Sequence, residues 1–304
     1  MSITVFGSVN LDLTVYVNSL PRPGETVHAN RQITGLGGKG ANQAVAATKL
    51  SRGQVRFVSA VGADAFADTI SGELNGYGVD MSDIATFAES ATGNALIHVD
   101  ENSQNTITVV GGANMAWNEA GPDASVFENA KVAVFQLETP LPATLAAMKA
   151  AKEHGATVVL DPAPVPHTSI DALLEKADVV TPNETEAEAL TGIRPHDEAS
   201  ALQAANALLA KGPSLAIVKL GANGLYYATR DGKVGFCAPF KVNAVDTVAA
   251  GDCFCGALAV ALSEGMDTES VLRFASGAGA LATTKYGAAA SCPSREILDK
   301  LLDQ

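Results

Sequence analysis

The chain has 304 residues, of which 47% are apolar and 28 are glycine, so it can build a sizeable core with many tight turns and is not a disordered chain. A formal net charge of −13 argues against nucleic acid and anionic membrane as partners, and an anionic substrate would need local positive potential. The four cysteines, Cys237, Cys253, Cys255 and Cys292, form no C-x-x-C pair and have no histidine cluster beside them. No zinc site is expected, and reduced thiols in a cytoplasmic protein are.

The chain opens on an apolar, β-branched run over residues 3–9, without the basic n-region of a signal peptide. Residues 13–17 and 25–34 alternate apolar and polar side chains and read as two exposed strands joined by the turn Pro21-Arg22-Pro23-Gly24. A glycine-rich stretch, Gly35-Leu36-Gly37-Gly38-Lys39-Gly40, leads into a small-residue helix over 41–50 and a strand over 55–61. Residues 93–99 and 105–110 read as a second hairpin around Asp100-Glu101-Asn102-Ser103. From Val132 onward strands near 132–135, 157–160, 179–180 and 216–219 alternate with amphipathic helices, and a hairpin follows over 224–227 and 233–238. Such alternation predicts an α/β fold: a three-layer αβα sandwich around a mostly parallel sheet. The two early hairpins, about 13–34 and 91–112, cannot be crossover units and are expected to stand off the main sheet as a small β lid. The whole of 1–304 is expected to be one domain. No run of about 20 apolar residues appears, so no membrane span is expected.

The chemistry concentrates in four places. The stretch Val245-Asp246-Thr247-Val248-Ala249-Ala250-Gly251-Asp252 runs into a long apolar helix. The first amides of a helix lack internal partners and sit at the positive end of its dipole. Ala249, Ala250 and Gly251 present nothing bulky there, which makes a cradle for a phosphoryl group. Asp252 is placed to take a proton from an attacking hydroxyl, or simply to cap the helix. In Gly37-Gly38-Lys39-Gly40-Ala41-Asn42 the glycines admit a ligand to the backbone, and Asn42 both donates and accepts. The G-x-G-x-x-G formed by Gly35, Gly37 and Gly40 is read as accidental, because a hairpin separates it from the first strand and a dinucleotide fingerprint follows that strand directly. Thr181-Pro182-Asn183-Glu184-Thr185-Glu186 is ordinary helix-start chemistry, or Asn183 and Glu186 serve a Mg²⁺–phosphate network. Asn10 and Asp12, placed at the end of the first strand, share a face and suit a pair of vicinal hydroxyls.

Taken together these stretches resemble the ribokinase/phosphofructokinase-B family of carbohydrate kinases, on its ribokinase branch, along nearly the whole chain. Residues Gly37 to Ala46 look like the family's first signature and Asp246 to Asp252 like its second; Asp161-Pro162-Ala163-Pro164 and Thr181-Pro182-Asn183-Glu184 also match. The resemblance implies ATP-dependent phosphorylation of a sugar hydroxymethyl group, with D-ribose the expected substrate. It makes Asp252 the base and Ala249, Ala250 and Gly251 the anion hole. Asn10, Asp12, Gly38, Lys39, Asn42 and Glu138 would hold the sugar. Asn183, Glu186, Lys219, Gly221, Gly224, Gly251 and Ser276 would serve the nucleotide and its Mg²⁺. Asp246, Val248, Ala282, Lys285, Gly287 and Ser291 would hold a monovalent cation, usually K⁺, mostly through carbonyl oxygens. A homodimer paired through the lid is implied as well. Departures from the family pattern are Cys253 and Cys255 where Thr and Asn are common, Lys219 and Ala222 where Thr and Ser are frequent, and Ser276 where His or Asn often meets adenine. Two other readings compete: a nucleoside kinase of the same superfamily, and a catalytically silent sugar-binding sensor. The thiols of Cys253 and Cys255, in the first turn of the active-site helix, are either packing residues or an oxidisable pair beside the anion hole.

Overall fold

The computed structural model describes residues 2–102 and 104–304. Met1 and Ser103, which fall in the first β-like run and in the turn of the second hairpin, lie outside the described residues. In chain order the first elements are β1 (Ser2–Phe6), β2 (Asn10–Tyr16), β3 (Arg31–Gly37), α1 (Lys39–Leu50), β4 (Gln54–Val61), α2 (Ala65–Gly76), β5 (Ile84–Thr86), β6 (Asn94–Val99), β7 (Asn105–Val110), β8 (Val132–Phe135) and α3 (Leu141–Glu153). Then follow β9 (Thr157–Leu160), α4 (Asp171–Lys176), β10 (Val179–Val180), α5 (Glu184–Thr191), α6 (Glu198–Leu209), β11 (Leu215–Lys219), β12 (Leu225–Thr229), β13 (Val234–Cys237), α7 (Ala250–Ser263), α8 (Thr268–Ala282) and α9 (Arg295–Leu302).

Nine strands form the main sheet in the order β13-β12-β11-β10-β9-β8-β1-β4-β5. Its strands are parallel from β5 across to β11, and β12 and β13 close that edge as an antiparallel hairpin. The strand side chains alternate between two cores, as a pleat requires. Val132, Val134, Val159, Val179 and Ile217 join α1, α2, α7, α8 and α9 on one face. Ala133, Phe135, Val158, Leu160, Val180 and Val218 join α3, α4, α5 and α6 on the other. This is the expected three-layer αβα arrangement, and its near-continuous apolar strands are those of a sheet buried on both sides. No helix among the described residues is long and apolar enough to cross a membrane.

The early strands form a separate four-stranded sheet, β3-β2-β6-β7. The two hairpins merge because β2 lies parallel to β6. Two sequence expectations need correction here. Residues 25–30 are not strand: β3 begins only at Arg31. Pro21 and Pro23 have no amide to offer a ladder, and the loop is closed across its neck by Asn30 Nδ2 donating to Asn18 Oδ1 at 2.7 Å. The first strand also ends at Phe6, so Asn10 and Asp12 open β2 rather than close β1. The Ser8 carbonyl explains the break, since it accepts from Ala41 N–H at 2.9 Å and ties the chain to the first turn of α1 instead of to the sheet. On the face of the small sheet that carries Asn10 and Asp12, Ile33, Ile107 and Val109 remain exposed.

Candidate active site

The site lies beyond the carboxyl ends of β1, β8, β9, β10 and β11, where open parallel sheets place ligands. Two glycines bring its walls together. Gly38 has φ 87° and caps α1, and a Cβ there would stand 2.9 Å from Asn10 N; a Cβ on Gly40 would stand 2.6 Å from Ser8 N. No side chain of its own caps α1. The cap comes from Glu138, whose Oε2 accepts from Lys39 N–H at 3.0 Å and from the Ser8 hydroxyl, a carboxylate at the positive end of the helix. Asn10 is fixed by Asn114, whose Nδ2 donates to Asn10 Oδ1 at 2.8 Å while its Oδ1 accepts from Val9 N–H.

Asp252 sits in the first turn of α7, 5% exposed. Its Oδ2 accepts from Asn42 Nδ2 at 3.0 Å and its Oδ1 from Gln43 Nε2 at 3.2 Å. The same Gln43 nitrogen donates to Asp161 Oδ2 at 3.0 Å, and Gln43 Oε1 accepts from Gln136 Nε2 at 2.6 Å. Lys39 Nζ lies 3.8 Å from both Asp161 and Asp252. Lys219 Nζ lies 3.7 Å from the other Asp161 oxygen. Burial raises the Asp252 pKa, and the Lys39 ammonium opposes that rise. Burial would lower Lys39, but Asp252, Asp161 and Glu138 more than reverse this and hold its proton firmly. Asp12 is pushed up to about 7 by burial, then by the charges of Glu138 and Asp252. The Asn42 Oδ1 is buried and has no hydrogen-bond partner among the described residues, so this amide keeps an acceptor for a ligand hydroxyl.

The start of α7 is open. Ala249 adopts a left-handed φ of 57° and no side chain caps the helix. Ala250 N–H reaches the Thr247 carbonyl at 3.3 Å, whereas the amides of Gly251 and Asp252 have no acceptor among the described residues. A carboxylate therefore stands beside free amides suited to an anion, held by an Asn42 amide whose Oδ1 has no partner among the described residues.

Residues 1–295 match the sequence profile of the pfkB family carbohydrate kinases. The chain belongs to that family. It is 40% identical over 297 residues to a ribokinase of Haemophilus influenzae, covering 97% of this chain and 96% of that one. It is 37% identical over 304 residues to a deoxyribokinase of Salmonella typhi, with 99% of each covered. Among solved structures, an Arabidopsis thaliana ribokinase complexed with ribose and ATP superposes with a TM-score of 0.93 at 35% identity, covering 99% of this chain and 98% of that one.

Other residues singled out from the family signatures fall in three neighbouring places. Asn183 caps α5 and is locked to Glu186: its N–H and Nδ2 donate to the two Glu186 carboxylate oxygens at 2.9 and 2.8 Å. The helix-start reading holds as a full capping box. Burial raises the Glu186 pKa, and Lys219 opposes it. Gly221 (φ 52°) and Gly224 (φ 86°) turn the chain after β11, and a Cβ on Gly224 would stand 2.5 Å from the Cys237 carbonyl. Ser276 on α8 accepts a weak bond from Cys237 Sγ at 3.6 Å. Asp246 joins two loops, its carboxylate accepting from Val248 N–H and from Gly287 N–H, each at 3.0 Å. The Ala282 carbonyl accepts from Lys285 N–H, and the Ser291 hydroxyl donates to the Ala288 carbonyl.

Cys253 and Cys255 are packed inside the molecule. Both are fully buried. The Cys253 Sγ donates to the Ala278 carbonyl, and Cys255 Sγ lies 3.4 Å from the Thr181 hydroxyl. A hydrogen bond to Cys292, then burial, raises Cys253, and burial pushes Cys255 up to about 12. Burial thus outweighs the helix dipole and disfavours the thiolate at both positions. Gln43, Asp161, Gln136, Ser8 and Asn114 receive no role from the sequence reading. Gln43 and Asp161 stand inside quoted motifs, so a signal existed for them; Asn114 has none beyond its polarity.

Proposed function

We propose that this pfkB-family kinase transfers the γ-phosphoryl group of ATP to the hydroxymethyl oxygen of D-ribose. The observation that carries the reading is Asp252, held by Asn42 and Gln43 beside the free amides of Gly251 and Asp252. Likeness to ribokinases, and to one solved with ribose and ATP, supports the choice of substrates. In this reading Asn10, Asp12, Asn42, Glu138, Lys39 and the Gly38 backbone hold the sugar hydroxyls. Asp252 accepts the hydroxymethyl proton, and the start of α7, from Ala249 to Gly251, stabilises the charge on the transferring group. The nucleotide lies along Lys219, Gly221 and Gly224 toward Ser276.

Magnesium would arrive with the nucleotide. Among the described residues no cluster of three or more His, Cys, Asp or Glu could hold a metal by itself, which suits an ion that keeps its waters and binds substrate phosphates. Glu186, oriented by Asn183, would supply a carboxylate to its hydration shell. The hard oxygen donors around the loop joined by Asp246, including the Ala282, Val248, Lys285 and Gly287 backbone and Ser291, fit K⁺, which would fix the loop leading into α7. The small sheet would act as a lid over the sugar within a single kinase domain. Its exposed Ile33, Ile107 and Val109 favour pairing with a second copy as a homodimer. Four free thiols favour a cytoplasmic location.

The test is an ATP-consumption screen over ribose, deoxyribose, fructose, tagatose, adenosine, uridine and pseudouridine. Ribose should show the highest kcat/KM. A nucleoside turned over faster would move the protein to the nucleoside kinases, and no turnover with any acceptor despite sugar binding would make it a sensor.

A further inference from the structure

We infer that Lys219 is the cation that meets the transferring phosphoryl group, and that buried Asp161 is the counter-ion that holds it ready; this rests on the kinase reading above. Lys219 ends β11, and its own N–H donates to the Pro182 carbonyl at 2.9 Å, which fixes its backbone next to Asn183. The side chain is 16% exposed and its Nζ is 5.6 Å from the centre of the Phe254 ring. A Cβ built on Gly251 would find one neighbour within 4 Å, the Lys219 Nζ at 3.7 Å. The ammonium therefore stands at the mouth of the open amides of α7. Its three N–H groups make no hydrogen bond among the described residues, so charge attraction to Asp161 at 3.7 Å, and the Phe254 face, hold it there.

Asp161 is built for this task. It is 2% exposed, and its two oxygens are divided between the two lysines. Oδ2 receives Gln43 and faces Lys39, which also faces Asp252 on the sugar side. Oδ1 faces Lys219, on the nucleotide side. The site is otherwise rich in carboxylates: Asp12, Glu138, Asp252 and Glu186 all surround it. A triphosphate entering such a field needs a cation free to turn toward it, and Lys219 is the one not shared with the base.

The sugar hydroxymethyl oxygen forms a bond to the γ-phosphorus while the β–γ bridging P–O bond breaks, and that electron pair leaves on ADP. The hydroxyl proton passes to an Asp252 oxygen. Lys219 keeps its protons throughout and faces the charge spread over the equatorial oxygens of the moving group.

Three variants test the assignment: Lys219→Met, Asp161→Asn and the double. The readouts are kcat and KM for ribose and ATP, and calorimetric affinities for AMP-PNP and ADP with Mg²⁺. Lys219→Met should lower kcat about 10²-fold, leave the ribose KM within about threefold, and cut the preference for AMP-PNP over ADP. The double variant, which removes the Asp161 carboxylate together with its Lys219 partner, should stay equally slow with the same lost preference. Recovery of the double to within about threefold of wild type would show that Lys219 merely neutralises Asp161, and would overturn the proposal. So would a Lys219→Met enzyme retaining more than about a third of kcat. A wild type inert toward ribose would sink the sugar assignment instead, while the AMP-PNP to ADP comparison would still decide the role of Lys219.

Discussion

Sugar affinity should rise with pH through neutrality, because Asp12 is poised there. Burial, with Glu138 and Asp252 nearby, moves its pKa from the ordinary 3.8 to about 7. About a tenth of Asp12 is then ionised at pH 6 and about nine-tenths at pH 8. The carboxylate accepts through both oxygens with charge assistance, which the neutral acid lacks, so ribose should bind more weakly at pH 6 than at pH 8, by up to about tenfold. Titration calorimetry without nucleotide isolates this from the titration of Asp252 in turnover. At pH 7 binding should also release about half a proton, read from the dependence of the heat on buffer ionisation enthalpy. The sign for stability is the opposite. A carboxyl whose folded pKa is raised destabilises the fold as pH climbs, from no cost below about pH 4 to a plateau of about 4 kcal/mol above pH 7. Asp12→Asn should therefore gain stability over wild type at pH 8 more than at pH 5, while losing the pH dependence of ribose binding. A flat wild-type affinity between pH 6 and 8, or an unchanged slope in Asp12→Asn, would refute the reasoning.

Other outcomes follow from the same geometry. Asp252→Asn should fold, since the Asn42 amide, whose Oδ1 is unpartnered, can turn to accept from the new amide; kcat should fall about 10²–10⁴-fold, and retention of more than about a tenth would reduce Asp252 to a cap. Gly256→Ala should cost about 1–3 kcal/mol by overpacking, because its Cβ would meet Gln43 O at 2.6 Å and Ala46 Cβ at 2.7 Å. By shifting Asn42 and Gln43 against Asp252 it should also lower kcat, and unchanged melting and turnover would discredit this account. Amide exchange over residues 10–37 and 94–110 should slow when ribose saturates the protein, and unchanged exchange would rule out lid closure. A thiol reagent applied to the native protein should leave Cys253 and Cys255 unmodified, and rapid labelling with loss of activity would revive the redox reading.

Eight of the nine strands of the main sheet were legible as short apolar runs, a pattern that needs no tertiary information, whereas the three-residue edge strand β5 (Ile84–Thr86) is too short to show one. The loop of residues 18–30 was misjudged because alternation in exposed residues 25–30 imitates a strand, and only the prolines argued otherwise. Asp252 and the open helix start were visible in Asp246 to Asp252, since small residues before a helix have a local meaning. The network around them was not. Gln43 reaches Asp161 across 118 positions and Asp252 across 209, and no local rule reveals a bond formed by three-layer packing. Asn114, 104 residues from Asn10, was invisible for the same reason. The burial of Cys253 likewise depends on α8 and on the loop at Cys292, and Cys255 meets Thr181, 74 positions away.

The contact between α1 and α7 has a further meaning. In the kinase reading proposed above, the residues assigned to the acceptor, Asn10, Asp12, Lys39 and Asn42, come from the first 42 residues, with Glu138 added later, and those assigned to the donor, Asp161, Asn183, Lys219 and the start of α7, come from the rest of the chain. The two sets meet where Gly256 rests on Gln43, Ala46 and Ala47. Acceptor choice and phosphoryl chemistry are thus inscribed in different stretches of sequence and joined along one seam of small side chains. A lineage could revise which sugar enters by changing the early segment and the neighbourhood of Glu138, provided the seam stays narrow enough for Asn42 and Gln43 to keep their hold on Asp252.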